Sequence, residues 1–359
     1  MKFYEQLQLN QLGSKNYIRE SPNKKERNKR IAIYIFKVFL TVLFCVLFVT
    51  CFTKLFGVEN GTPGVVILLF LMAFRQVDLG IKPKEGVAVM LLIGVLLTFA
   101  PHLAASLPPE QAFFVHFPVI FILMLFGCHQ IRYYNQATII LSYLLLFGYD
   151  VSGELFIQRV VGLLLGFAWT SWLLYRVHCN KQNPEGIADI FRSFSLGTVR
   201  SRWQLGLALT TSLALVIGEM LGFSRVMWIG LAALSIVQPT KKEQFWRAKN
   251  RFIGVVAGVL LFIVMIHFLP ASILGGVGII GGICVGFSTH YGWQSAFNCF
   301  GALSIAAALL GLDGALFYRI LDTAFGIIFA LCIYNLLDHF FIWTHKVRGE
   351  DPEMPSVVK

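Results

Sequence analysis

Charged residues are scarce in this sequence: they make up 14% of its 359 residues, against 57% hydrophobic ones. A soluble domain usually carries about a quarter charged residues, so this scarcity excludes an ordinary soluble protein. The seven cysteines are scattered without a C-x-x-C pair, and we therefore expect no metal site. What the chain has instead is a series of long apolar runs, which predicts an all-α, polytopic membrane protein.

Catalytic motifs are also missing from the sequence. It has no G-x-S-x-G or H-E-x-x-H pattern and no closely spaced, paired carboxylates on a span. Because an enzyme needs a nucleophile, a base or a metal cluster in one place, we expect a protein that is not an enzyme and that holds no cofactor. The net charge is +11, but an excess of Lys and Arg in a membrane protein first reports loop orientation, so nucleic acid is not an expected partner.

The lengths of the apolar runs predict about twelve transmembrane helices. The distribution of Lys and Arg places both chain ends on the cytoplasmic side, because Arg225 is the one basic residue in the predicted outer loops. We therefore expect a multi-pass protein of the cell (inner or plasma) membrane, surrounded by the lipid bilayer. The predicted helices lie near 31–57, 61–77, 85–104, 111–128, 135–149, 155–177, 203–222, 225–239, 250–269, 270–287, 293–311 and 314–343.

A repeated pattern suggests that the chain consists of two similar halves. R-x-x-G-x-x-x-G begins at Arg159, and R-x-x-D-x-x-x-G begins 160 positions later at Arg319. This recurrence favours a tandem duplication of a six-helix unit, with both copies facing the same way. The predicted domains are a cytoplasmic basic tail (1–30), a first six-helix repeat (31–178), a cytoplasmic amphipathic linker (179–201), a second six-helix repeat (202–345) and a cytoplasmic C-terminal tail (346–359).

The two repeated arginines are candidate substrate-binding residues, because an unpaired charge in hydrocarbon is costly and needs a partner. Two interpretations of Arg159 and Arg319 are open. Each pairs with an acid near the outer face, or each binds an organic anion through its two parallel donors. Asp322 lies one turn after Arg319 and favours the ion pair there. Gly162 holds that place in the first half, which makes Arg159 the stronger candidate for ligand contact.

Further candidate substrate-binding residues lie nearer the cytoplasmic side or in the spans. Lys37, Arg202 and Arg251 could form a cytoplasmic funnel that collects anions, with Arg251 at a helix start where the dipole adds to the attraction. The alternative for Lys37 is that it snorkels to the headgroups. Trp228 and Trp293 could form walls for an aromatic ring, or they pack in the core or against lipid.

Two other sets of residues complete the candidate sites. The first contains groups within spans that could change protonation and couple transport to protons; the alternative for each is a role at a helix interface. These groups are Glu219, His267 and Asp322. The second contains small residues one turn apart, which let helices approach closely. These residues are Gly162, Gly166, Gly254, Gly258 and Gly326.

Residues 200–269 carry an ordered set of motifs that points to a family. R-S-R-W begins at Arg200, G-F-S-R-V-M-W ends at Trp228, V-Q-P and a basic loop follow, and R-x-x-G-x-x-x-G begins at Arg251. This order resembles the fusaric acid resistance and aromatic acid exporter superfamily of inner-membrane proteins, although Val255 replaces the threonine that usually follows the glycine. The resemblance covers the second half of the chain more firmly than the first.

The resemblance implies a function as well as a fold. Members of that superfamily are built of six-helix units, commonly paired, and export aromatic or other organic carboxylates. We therefore expect an exporter of small organic anions that is coupled to protons. An anion-permeable channel and a membrane assembly or scaffold protein without transport stay open as alternatives. A plant branch of the superfamily forms dimeric channels, so a homodimer is open too.

Overall fold

The computed structural model of the protein describes residues 1–270 and 276–344, and these residues form helices and turns without a strand. The prediction of an all-α fold is thus confirmed for this part of the chain. The described residues divide into two compact units: unit 1 lies within Met1–Thr50 and Trp246–Leu321, and unit 2 contains Cys51–Phe245 and 322–344. These units differ from the two predicted repeats, and the duplication stays a prediction.

The α-helices are numbered here in chain order. They are α1 (Phe3–Gln8), α2 (Gln11–Arg19), α3 (Lys24–Phe56), α4 (Gly61–Phe74), α5 (Pro83–Ala105), α6 (Pro109–Gly127), α7 (Gln136–Gly148), α8 (Glu154–His178), α9 (Ile187–Arg192), α10 (Val199–Met220), α11 (Val226–Ile236), α12 (Lys241–Phe268), α13 (Val277–Phe287) and α14 (Tyr291–Thr344).

The predicted spans correspond well to these helices. The last two predicted spans form the single element α14, which breaks at Gly311, where φ is 73° and ψ is 167°. Part of the predicted span 270–287 and the predicted tail 346–359 lie outside the described residues. Among the described residues, seven helices are long and apolar enough to cross a membrane. A multi-pass membrane protein is therefore supported, while the number of twelve crossings and their orientation stay predictions.

The surface of α3 has the character of a lipid-facing helix. Its side chains Phe39, Leu43 and Leu47 are 52%, 55% and 54% exposed, respectively. An apolar stripe of this length would be unfavourable in water, whereas hydrocarbon is a matching solvent for it. The exposed stripe therefore agrees with the hydropathy of the sequence.

Two helices begin earlier than predicted because polar side chains cap them. Asn23 Oδ1 accepts the backbone N–H of Glu26 at 2.8 Å, so α3 begins within the predicted basic tail. Thr240 Oγ1 accepts the N–H of Glu243 at 3.4 Å, and α12 begins at Lys241 rather than near 250. An N-cap satisfies a backbone donor that would otherwise lack a partner, which extends a helix into polar sequence. The expected position of Arg251 at a helix start is consequently wrong.

Glycines set the closeness of helix packing in both units. In unit 1, a Cβ atom at Gly254 or Gly258 would collide with the backbone carbonyl oxygen atoms of Gly292 and Ala296 on α14. In unit 2, a Cβ at Gly326 would lie 2.7 Å from the carbonyl oxygen of Ile229 on α11. Backbones approach this closely only where no side chain intervenes.

At the two glycines of the first repeated pattern, an added Cβ atom would contact side chains instead of backbone. A Cβ at Gly162 would lie 2.7 Å from the ring of Phe52, and one at Gly166 would overlap the side chain of Ile67. Large residues of α3 and α4 thus fill the space that the glycines of α8 leave. Substitution would require these buried side chains to move.

Candidate functional site

An open pocket of about 380 Å³ lies at the end of unit 2 that the sequence predicts as the outer end. It forms where three predicted outer loops meet, namely those that join α5 to α6, α7 to α8 and α10 to α11. Small-molecule sites usually have volumes of about 300–1,000 Å³, so a small organic molecule fits this space. The polar lining is Glu219, Ser224 and Arg225, and the apolar lining includes Phe147, Phe223 and Met227.

The turn that ends α10 places the polar lining. Gly222 has a φ of 74°, in the left-handed region that favours glycine. The N–H of Phe223 then donates to the carbonyl of Gly218 at 3.0 Å, which closes the end of the helix. As a result, Glu219 in the last turn of α10 and Arg225 at the start of α11 face the same pocket.

Arg225 is well placed to bind an anion. It is half-buried and occupies the N-cap position of α11, where the backbone N–H groups of the first turn add positive potential. The guanidinium carbon lies 5.5 Å from the centre of the Tyr149 ring, a cation–π arrangement that orients the side chain. The adjacent carboxylate, Asp150, is engaged by Arg159 and His102. Arg225 thus lines the pocket, and the neighbour that orients it is a tyrosine ring.

Arg159 lies near the same end of unit 2 but is buried, with 2% of its surface exposed. Its Nε donates to Asn60 Oδ1 at 3.1 Å, its Nη2 donates to the Tyr149 carbonyl at 2.7 Å, and its Nη1 lies 3.7 Å from Asp150 Oδ1. Asp150 also lies 2.9 Å from His102 Nδ1. This geometry corresponds to the first interpretation of Arg159, an ion pair with an acid near the predicted outer face.

The cations predicted to form a cytoplasmic funnel all contact protein groups. Lys37 donates to Ser14 Oγ and to the carbonyl of Leu9, so the helical N-terminal segment covers its ammonium group. Arg202 Nε lies 3.8 Å from Asp338, which also lies 3.8 Å from Lys241. Arg251 Nη1 lies 3.4 Å from the hydroxyl of Tyr291.

The remaining predicted residues lie in different surroundings. Arg319 and Asp322 on α14 are 5% and 0% exposed. Trp228 is a buried core residue, whereas Trp293 is 53% exposed and stacks on Phe297. His267 is exposed near the end of α12. Of the predicted site residues, Glu219 is the one that lines the pocket, judged over the described residues.

Reasoning from sequence missed the functional potential of Arg225. A signal was present in the sequence. Basic residues are disfavoured in outer loops, so the one arginine in the predicted outer loops, Arg225, needs a reason other than topology. Asp338 was also missed, although it is an acid on an apolar helix. Groups of three or more His, Cys, Asp or Glu side chains that could hold a metal ion do not occur among the described residues.

Comparison with known proteins gives one match. Residues 213–333, about a third of the chain, match the family described as fusaric acid resistance protein-like. The matched stretch includes Glu219 and Arg225, and it supports the resemblance to the fusaric acid resistance superfamily. The match is consistent with a membrane transporter. No curated protein and no solved structure matches the chain.

Proposed function

From the family match and the pocket, we propose that the chain is a proton-coupled membrane transporter that exports organic anions such as aromatic carboxylates. The observation that carries this proposal is that a guanidinium and a carboxyl group line one pocket. They belong to Arg225 and Glu219, which both lie in the matched stretch. Phe147 and Phe223 supply apolar walls in the same pocket. An aromatic carboxylate needs this combination of a cation and apolar walls.

The chemistry of the pocket follows from its two charges. Glu219 and Arg225 line the same pocket. An arriving carboxylate binds to Arg225, because guanidinium binds carboxylate with two parallel N–H donors and thereby compensates for lost water. The carboxyl group of Glu219 then faces a second negative charge, which favours uptake of a proton at that site. One anion and one proton are therefore handled in the same place.

The other predicted residues have supporting places in this proposal. Arg202 and Lys241 hold positive potential at the predicted cytoplasmic end of unit 2, where anions would be collected. Arg159 positions the loop that carries Tyr149, on which Arg225 stacks. We place direct anion contact at Arg225 rather than at Arg159, because the donors of Arg159 already have protein partners.

The test uses purified protein in proteoliposomes and radiolabelled benzoate. We expect saturable benzoate transport that stops when the proton gradient is collapsed. Arg225→Gln should lower the initial rate by roughly tenfold or more, because a charge-assisted hydrogen bond contributes about 1.5–3 kcal/mol. The matched control is Arg132→Gln, since Arg132 is an exposed arginine that also lies over a tyrosine ring, at 5.0 Å from the centre of Tyr133.

Two results would contradict the proposal. Benzoate transport by a folded Arg225→Gln protein at the unchanged rate would remove Arg225 from the site. A linear anion current that follows voltage and ignores the proton gradient would support a channel instead.

A further inference from the structure

A fully buried histidine lies in the apolar helix α6. His116 has no exposed surface, and neither does Tyr143 on α7. The Nδ1 atom of His116 and the hydroxyl oxygen of Tyr143 are 2.7 Å apart, which is a hydrogen bond. α6 is one of the helices that are long and apolar enough to cross a membrane. The pair therefore places two titratable groups in the interior of a membrane-spanning bundle.

The surroundings of the imidazole are otherwise apolar. Phe147 packs against it edge to face, with ring centres 4.7 Å apart. Tyr143 is the titratable group that faces it from α7. The other helices packed along α6 are α5, α9 and α10, and in the described part of the chain none of their charged side chains forms an ion pair with His116. Within the same residues, the buried Nε2 atom makes no hydrogen bond.

The pair is connected to the pocket. One turn beyond Tyr143, Phe147 and Gly148 line the pocket together with Glu219. Phe147 thus contacts both the pocket and His116. The order from the pocket into the bundle is Glu219, Tyr143 and His116.

A structural role alone does not explain this arrangement. Burying an imidazole with one ring nitrogen unpaired costs free energy, and an apolar side chain would fill the same space without that cost. Ionisable groups within spans are rare and commonly belong to proton pathways. Histidine suits such a pathway because it can accept a proton on one ring nitrogen and release one from the other.

We propose that Tyr143 and His116 form a proton-transfer pair that continues inward from Glu219, an inference that rests on the proposed function of the pocket. Through a water molecule of the pocket, the carboxyl group of Glu219 passes its proton to the hydroxyl oxygen of Tyr143. The proton that Tyr143 already carries passes to Nδ1 of His116. The resulting imidazolium releases its Nε2 proton to a water molecule, the acceptor that we assign to this nitrogen. Rotation of the neutral ring then returns an unprotonated nitrogen to Tyr143 and restores the starting state.

This path separates the proton from the anion. The anion leaves through the open mouth of the pocket, while the proton moves inward through the hydrogen-bonded pair. Because the two species leave Glu219 and Arg225 in opposite directions, the pocket can exchange an anion for a proton. A pocket without a second path would release both on the same side.

The experiment compares two kinds of flux in proteoliposomes. One is benzoate–benzoate exchange at equal pH, which requires no net proton movement. The other is benzoate accumulation driven by a pH gradient, with proton flux followed by an internal pH indicator. The variants are His116→Asn, whose amide can keep the hydrogen bond to Tyr143 but carries no proton at this pH, and Tyr143→Phe, which removes one oxygen atom.

We expect the exchange rate of both variants to stay within about twofold of the unmodified protein. Gradient-driven accumulation should fall by about tenfold or more, because it depends on proton transfer through the pair. The matched control is His178→Asn. His178 is also buried, but its Nε2 lies 2.9 Å from the carbonyl of Phe74 at the other end of unit 2, and both fluxes should stay unchanged in that variant.

The outcomes separate the two proposals. If the unmodified protein shows no benzoate flux of either kind, the proposed function fails and this inference fails with it. If Tyr143→Phe and His116→Asn keep full gradient-driven accumulation, the proton-transfer pair alone is wrong. Loss of both fluxes in folded variants would also overturn the inference, because it would assign the pair to packing or to the anion path.

Discussion

The two ends of unit 2 use charge in different ways. At the end predicted as cytoplasmic, acids and bases from distant parts of the chain pair with each other: Asp78 lies 2.9 Å from Lys181, and Glu185 lies 2.6 Å from His129. At the end predicted as outer, Arg225 and Glu219 line a pocket. Paired charges fix one segment against another, whereas charges that face a cavity are available to a ligand. The difference separates structural from functional charge within one bundle.

At the end predicted as cytoplasmic, hydrogen bonds and ion pairs hold the predicted linker, residues 179–201, against the rest of unit 2. Asn183 donates to the carbonyl of Ile81 at 3.0 Å, and the N–H of Lys82 donates to the carbonyl of Glu185 at 2.9 Å. The linker contains α9, whose Phe191 packs on Phe126 with ring centres 5.3 Å apart. These contacts join the linker to the loop before α5 and to α6.

The largest effect is expected at Arg159, which lies at the outer end but is paired like the residues of the other end. Arg159→Gln should destabilise the protein by about 3 kcal/mol, because it leaves Asp150 beside a buried site without its cation. The measurement is thermal unfolding in detergent. The double variant Asp150→Asn with Arg159→Gln should regain part of the loss. Unchanged stability together with abolished export would instead assign Arg159 to the substrate.

The next effect tests the pocket. Glu219→Gln should flatten the dependence of benzoate export on outer pH, because an amide takes up no proton in this range. Where the unmodified protein changes its rate by about tenfold between its protonation states, the variant should change less than about twofold. Glu110→Gln is the matched control, since Glu110 is an exposed carboxylate in the first turn of α6. An identical pH profile for Glu219→Gln would remove this residue from proton coupling.

Much of the fold follows from the sequence, because the thickness of a membrane dictates the lengths of apolar helices. The errors lie where polar side chains extend a helix beyond its apolar run. Asn23 and Thr240 each precede a glutamate by three positions, Glu26 and Glu243. This is the spacing of a capping box, which would have predicted both early helix starts.

The site was harder to predict because it depends on which loops meet. Glu219 was identified as a titratable group in a span, and it lines the pocket. In the sequence, Arg225 indicated only the orientation of a loop. The residues next to it in the chain do not show that its guanidinium lies over the ring of Tyr149. The hydrogen bond between His116 and Tyr143 joins positions 27 apart on two helices. Periodicity gives the face of each helix but not its neighbour.

A smaller effect is expected at His129, which holds the linker. Burial lowers the pKa of this imidazole below its ordinary value of 6.5; the charge of Arg200 lowers it further, while Glu185 acts in the opposite direction. The neutral ring is thus favoured in the folded protein. The contribution of His129 to the stability of the fold is therefore fully present above pH 6.5 and is lost as pH falls through the lowered pKa.

Hydrogen exchange of residues 179–198 measures this dependence. The protection of the linker amides, corrected for the intrinsic exchange rate, gives the free energy of opening of the linker. We expect this free energy to fall by about 1 kcal/mol between pH 7 and pH 5. His129→Asn should make the protection independent of pH in this range. Protection that rises as the pH falls would show that the protonated ring holds Glu185 better than the neutral one.

The smallest effect is expected for Lys181→Ala at the same end. The side chain of Lys181 is 44% exposed, and ion pairs of partly exposed side chains contribute less than about 1 kcal/mol. Asp78 keeps other partners, because its carboxylate accepts the N–H of Gly80 at 2.8 Å and a longer bond from Asn183. Although burial, the largest influence, raises the pKa of Asp78, these bonds and Lys181 together bring it below 3.8.

The contribution of Asp78 is therefore present above pH 3.8 and is lost as pH falls through its lowered pKa. At pH 7, Asp78→Asn should destabilise the protein more than Lys181→Ala, because it weakens every bond that the carboxylate accepts, whereas Lys181→Ala removes one partly exposed cation. Thermal unfolding of the two variants gives the order directly. The opposite order would mean that the ammonium group, and not the buried carboxylate, holds this end of the linker in place.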